Sequence, residues 1–147
     1  MKTGKTLEIV MERTIPASPA EVYRAWMDPK TPGTPWNVGD ELILQPKVGG
    51  LFYWLVYGTP HYGRFTKMER GALIQHTWMS PYTEGRESTV TVAFKKRGAD
   101  TVMTLTHTGL PDNSNGRAHQ GGWHEFLDAF PKAFEKAAPI RKKKKKA

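Results

Sequence analysis

The segment that most limits what this chain can fold into runs from Thr101 to Phe134. There an alternating strand gives way, at a Gly and Pro turn, to one long aromatic helix. In TVMTLTHTGL, Met103, Leu105 and His107 share one face, and Val102, Thr104, Thr106 and Thr108 share the other. Pro111 to Gly116 is a run of loop formers, and RAHQGGWHEFLDAFPKAFEKA follows as a helix. On it His119, Trp123, Phe126, Leu127, Phe130 and Phe134 recur at three- and four-residue spacing. A helix this apolar on one side must lie across a large partner surface. The rest of the chain supplies a sheet.

A first strand reads over residues 5–15, with Leu7, Ile9, Met11 and Ile15 on one parity. Ser18-Pro19-Ala20-Glu21 then opens a helix: Ser18 caps, Pro19 occupies the first helical position, and Glu21 completes a capping box. Val22, Tyr23 and Trp26 form its apolar side and Asp28-Pro29 ends it. Residues 30–39 are rich in Pro and Gly and hold at most one short helical turn. From Asp40 the pattern is strand after strand: DELILQPK, LFYWLVY, HYGRFTKME, ALIQHTWMS, STVTVAFKK and TVMTLTHTG. The turns between them, Gly58-Thr59-Pro60 among them, are short, so neighbours are antiparallel.

Parity selects the covered face: Phe52 and Trp54; Ile74, His76 and Trp78; Val90, Val92 and Phe94; Met103, Leu105 and His107. In HYGRFTKME the parity is ambiguous, because Tyr62 and Met68 compete with Gly63 and Phe65. Gly63 in mid-strand allows a bend.

Composition narrows the functional classes. The chain has 147 residues, 38% apolar and 11% aromatic, which suits one globular domain over residues 1–140. There is no run of eighteen apolar residues and no signal-peptide block, so the expectation is a cytoplasmic protein without membrane insertion. With no cysteine, disulfides and thiolate metal sites are excluded. Of the net charge of +8, six units sit on Arg141 and Lys142–Lys146, leaving about +2 on residues 1–140. Residues 141–147 therefore read as a disordered basic tail, and specific nucleic-acid binding is not expected. His61, His119 and His124 show no metal spacing, and neither a phosphate loop nor a nucleophile elbow is present. No metal or cofactor is expected.

The order of elements, with particular motifs, resembles a known family. The motifs are Ala17-Ser18-Pro19-Ala20-Glu21-Val22-Tyr23 with Ala25-Trp26 and Asp28-Pro29, Gly49-Gly50-Leu51-Phe52, Gly63-Arg64-Phe65 and Thr77-Trp78. Thr106-His107-Thr108-Gly109-Leu110 and Gly122-Trp123 with Leu127 complete the set, spanning Leu7 to Phe130. Together they resemble the START-like SRPBCC superfamily, and within it the homologues of the activator of the heat shock protein 90 ATPase. The resemblance implies an α+β helix-grip fold, in which a curved seven-stranded antiparallel sheet grips a long C-terminal helix in the order β-α(-α)-β6-α. Two positions depart from the family pattern. Pro131 deletes a backbone hydrogen bond to Leu127, so a kink or an early end near Phe130 is expected. The proline-rich Thr31–Gly39 segment degrades the second short helix.

The resemblance further implies a cavity between sheet and helix that takes a hydrophobic or amphipathic small molecule. By parity its wall would include Phe52, Trp54, His76, Trp78, His107, Trp123, Leu127 and Phe130, with Trp26 at one end. Each of these also reads as ordinary core; the surplus of large rings, which interdigitate poorly, argues for a gap. A carrier or sensor is the leading expectation. A heat shock chaperone is the alternative partner, although the larger eukaryotic activators add an amino-terminal domain that 147 residues do not accommodate. A third reading is a cavity enzyme, such as a cyclase or hydrolase, using His76 or His107. Neither strand offers a carboxylate at fixed spacing to support a base, and no catalytic residue is assigned.

Overall fold

The computed structural model describes residues 6–135, and the basic tail at 141–147 lies outside them. β1 (Thr6–Ile15) leads into α1 (Pro19–Trp26), and a single 3-10 turn at Pro35–Asn37 is all the helix that the proline-rich segment holds. β2 (Glu41–Leu44), β3 (Leu51–Val56), β4 (Thr59–Glu69), β5 (Leu73–Trp78), β6 (Ser88–Arg97) and β7 (Asp100–Pro111) follow, and then α2 (Ser114–Glu135). The strands form one antiparallel sheet in the order β1-β7-β6-β5-β4-β3-β2. This is the expected α+β helix-grip arrangement.

Local chemistry explains how the elements start. Ser18 Oγ accepts from the Glu21 N–H at 3.3 Å while the Glu21 carboxylate accepts from the Ser18 N–H at 3.1 Å, so the capping box is closed. β3 and β4 join through Tyr57-Gly58, both at positive φ (53° and 75°), which is the geometry of a tight hairpin turn. The chain therefore reverses one residue before the expected Gly58-Thr59-Pro60 turn, and Thr59 and Pro60 are already in β4.

The ambiguous parity of β4 resolves into both readings. His61 and Phe65 are buried on the inner face, with Gly63 on the same parity. A register shift between Phe65 and Lys67 then turns Met68 toward the core, where it pairs with Ile74. Gly63 does more than permit a bend. It pairs with Phe52, and a Cβ there would collide with the Phe52 ring and the Thr77 carbonyl, so its hydrogen is what lets the ring lie flat on β4.

The expected start of the last helix is corrected, and of the two outcomes expected at Pro131 the early end does not occur. The loop formers Ser114, Asn115 and Gly116 are helical. Asn113 Oδ1 accepts from the N–H groups of Asn115 (3.0 Å) and Gly116 (3.2 Å), so residues favoured in loops here start a helix. Gly116 is required because the Pro111 carbonyl occupies the place of its Cβ. At the other end α2 does not stop at Phe130 but continues through Pro131 to Glu135. Proline inside a helix costs about 3 kcal/mol, and burial of one large apolar side chain returns about 2–3 kcal/mol. Phe130 is fully buried, with Trp26 (ring centroids 5.1 Å) and Phe134 (5.3 Å) edge-on to it, so packing carries the helix past the defect.

The core lies between the inner face of the sheet and α2, with α1 closing one end. On the rim Arg13 of β1 donates to Asp128 of α2 at 2.8 Å, an exposed pair worth under about 1 kcal/mol. No helix among the described residues is long and apolar enough to cross a membrane.

Candidate functional site: a cavity between the hairpin and the last helix

A cavity of about 520 Å³ opens between the tip of the β3–β4 hairpin and the middle of α2. The hairpin contributes Trp54, Val56, Tyr57, Thr59 and His61, and β5 contributes Trp78. The helix faces them with Ala118, His119, Gly122, Trp123, Phe126 and Ala129, and with Glu125 at the edge. Gly33 and Val38 border it from the proline-rich segment, and exposed Tyr57 and Tyr82 stand at its mouth.

The room comes from small residues on the helix. Ala118, Gly122 and Ala129 recur at helical spacing, and a Cβ added at Gly122 would meet nothing within 4 Å. Indoles on both walls are held in place. Trp54 Nε1 donates to the Val38 carbonyl at 2.7 Å and Trp123 Nε1 donates to His107 Nδ1 at 3.0 Å, so both indoles are tied at their polar edges. Trp78 bridges them, with ring centroids 5.7 Å from Trp54 and 5.2 Å from Trp123.

Of the residues expected on the wall, Trp54, Trp78 and Trp123 line the cavity, and Trp26, Phe52, His76, His107, Leu127 and Phe130 do not. The latter six are core residues, each no more than 2% exposed. Parity placed all nine on the covered face, but it does not say whether the cover is protein or space. Trp36 inserts edge-on against Phe52 (5.1 Å) and His76 (6.0 Å), and Phe65 packs on His76 at 5.3 Å, so the ring-rich end of the core packs through edge-to-face contacts. Trp36 and Trp78 each carry a buried indole N–H without an acceptor among the described residues.

His107 is a pin between sheet and helix. Because Nδ1 accepts from Trp123, the ring proton sits on Nε2, which donates to Ser88 Oγ at 2.7 Å. The Ser88 hydroxyl in turn donates to the Trp78 carbonyl at 2.6 Å. The chain of donors is complete with a neutral imidazole, and burial holds its pKa well below the usual histidine value. Burial likewise lowers His76 to about 4, and its Nδ1–H donates to the Thr77 carbonyl at 2.9 Å. Neither ring is on the cavity wall, so the enzyme reading through His76 or His107 has no geometry behind it.

Two other histidines are on the wall. His61 Nδ1–H donates to the Thr59 carbonyl at 3.1 Å, and its ring lies 4.7 Å from Trp54. His119 Nδ1–H donates to the Gly116 and Asn115 carbonyls one turn back, at 3.1 and 3.2 Å. Burial, with His119 as a further neighbour, pushes His61 down to about 4, and burial lowers His119. In sequence the signal for His61 was its shared parity with Gly63 and Phe65, and for His119 its place on the aromatic face of the helix. Phe126 lay on that face too. No group of three or more histidine or carboxylate side chains that could hold a metal occurs among the described residues.

Comparison with known proteins gives the arrangement a context. The model of the family described as activator of Hsp90 ATPase homolog 1-like protein matches residues 16–135. No curated protein sequence matches the chain. Among solved structures, an HSP90 activator from Plasmodium falciparum is 28% identical, with a TM-score of 0.67 over 85% of this chain and 92% of that one. A protein from Chromobacterium violaceum (19% identity, TM-score 0.71, 87% of this chain and 96% of that one) shares the fold. So does CalU16 from Micromonospora echinospora (20% identity, TM-score 0.71, 96% and 83%). The fold is thus shared with these proteins, and the chain belongs to the activator of Hsp90 ATPase homolog 1-like family of the START-like SRPBCC superfamily.

Proposed function

We propose that the protein binds a hydrophobic or amphipathic small molecule in the cavity between the β3–β4 hairpin and α2, as a carrier or sensor. The carrying observation is the aromatic-walled space of about 520 Å³, inside the range of roughly 300–1,000 Å³ that ligand sites occupy. Its walls favour such a guest. Trp54 and Trp123 have spent their indole N–H groups on protein acceptors, so they present largely apolar surface. Each Å² of apolar guest surface removed from water contributes about 25 cal/mol.

Three wall indoles also make the cavity readable by fluorescence. Titration with Nile red, a neutral apolar dye, is expected to show saturable binding with quenching of tryptophan emission. Trp54→Ala and Trp123→Ala are expected to weaken binding by tenfold or more. Linear, unsaturable uptake, or unchanged affinity in both folded variants, would count against the cavity as a binding site.

A second reading is stimulation of a heat shock protein 90 ATPase, favoured by the family description and by the activator from Plasmodium falciparum. Its test is a steady-state ATPase assay with the chaperone of the same cell. No stimulation at saturating protein rules it out.

A further inference from the structure

We propose that the cavity selects planar aromatic molecules whose polar end donates a hydrogen bond, and that it rejects anionic amphiphiles such as fatty acids. The inference rests on the reading of the cavity as a ligand site and goes beyond it by naming the polar chemistry of the guest.

The argument begins with the imidazoles. A carbonyl oxygen only accepts, so the Nδ1 atoms of His61 and His119, held by the carbonyls of Thr59, Asn115 and Gly116, must carry the ring protons. In a neutral ring this leaves Nε2 as an acceptor; among the described residues His119 Nε2 has no hydrogen-bond partner, and the His61 ring has only backbone carbonyls beside it, those of Thr59 and Trp54. Both side chains line the cavity, one from the sheet and one from the helix. The wall therefore meets a guest with two acceptors of opposite origin. Burial lowers both pKa values, which keeps the rings neutral and accepting at neutral pH.

Charge points the same way. No lysine or arginine lines the cavity among the described residues, whereas Glu125 does. A carboxylate or phosphate guest would meet two nitrogen lone pairs and a carboxylate, with neutral donors alone to offset them: the Trp78 indole N–H and the hydroxyls of Tyr57, Thr59 and Tyr82. It would lose its hydration with no cation to replace it. A neutral hydroxyl or N–H donor keeps its hydrogen bond on entering. Half-buried Phe126 on the helix offers a ring for a flat ring system to pack against, and the edges of Trp54, Trp78 and Trp123, each 3% exposed, complete an apolar wall.

A matched ligand series tests this on the unaltered chain, by displacement of Nile red near pH 7.5. β-Naphthol carries the donor, β-naphthyl methyl ether has the same ring system without it, and β-naphthoate is the anion. We expect β-naphthol to bind roughly fivefold tighter than the ether, the effect of one hydrogen bond, and β-naphthoate to bind at least about tenfold weaker than β-naphthol. In His61→Phe and His119→Phe, which keep a ring in place, the ratio of naphthol to ether affinity is expected to fall toward one. Equal affinity of naphthol and ether in the unaltered chain, or tightest binding by naphthoate, overturns the inference. So does saturable binding of Nile red with none of the three naphthyl compounds. Failure of Nile red itself to bind removes the cavity reading instead. If a histidine variant does not fold, the ligand series on the unaltered chain still decides.

Discussion

The inner face of β3, β4 and β5 carries the same kinds of side chain toward both ends, and the fold treats the two ends differently. At the closed end Phe52, Phe65 and His76 are sealed by Trp36, which the 3-10 turn at Pro35–Asn37 delivers into their midst. At the open end Trp54, Trp78 and His61 face Ala118, Gly122 and Ala129 across a cavity. The rings are alike, and what opposes them is not. Edge-to-face packing fills a ring-rich core when a further ring arrives from another element. Small residues at helical spacing leave a gap because a rigid helix axis cannot move inward to close it.

The largest expected effect breaks the comparison at its closed end. Phe52→Ala removes a ring in contact with Trp36, Phe65, His76 and Trp78, and is expected to cost about 3–5 kcal/mol in chemical denaturation. Phe126→Ala, at the open end and only half-buried, is expected to cost about 1 kcal/mol while weakening Nile red binding severalfold. Equal destabilisation by the two would mean that the open end is core like the other.

Acid sharpens the comparison next. The His76 pKa is depressed to about 4 by burial, below the unfolded value near 6.5, so between those values the unfolded chain binds the extra proton. Its contribution is complete above about pH 6.5 and is lost as pH falls toward about 4. The slope is about 1.4 kcal/mol per pH unit for each such ring. Denaturation midpoints measured across this window should fall with pH, and His76→Phe should flatten the dependence by about one ring's slope. Added naphthol should protect against the share of His61 and His119, and leave that of His76 unchanged.

The smallest change is at Gly122. Gly122→Ala is expected to raise stability by about 0.5–1 kcal/mol, because it replaces glycine inside a helix at a place where the new methyl meets nothing within 4 Å. Gly122→Leu should hold the thermal midpoint and reduce Nile red binding by tenfold or more, since its side chain grows into the space. Retained binding in that variant would place the dye elsewhere.

Sequence reading recovered the covered face far better than the cavity. Alternation in β5 and β7 put His76 and His107 inward, and they are inward, but periodicity cannot tell a partner atom from a void. His107 illustrates the gap. Its donors and acceptors come from Trp123, sixteen residues on, and Ser88, nineteen residues back, and no local pattern joins the three. Pro131 shows the converse: the local rule that a proline ends a helix is sound, and long-range burial of Phe130 outweighed it.

The sequence by itself determined the order of elements, the capping box at Ser18 and Glu21, the antiparallel meander and the aromatic face of the last helix. These follow from local propensities and from periods of 2 and about 3.6 that the backbone imposes on any chain. Tertiary structure alone decided that Phe52 and Trp36 make a sealed end while Trp54 and Trp123 frame an open one. It also decided that His61 and His119 face each other's cavity across sheet and helix. Both outcomes depend on which side chain arrives from a distant element to fill a given volume, and packing of that kind is settled by shape in three dimensions, where sequence spacing has no say.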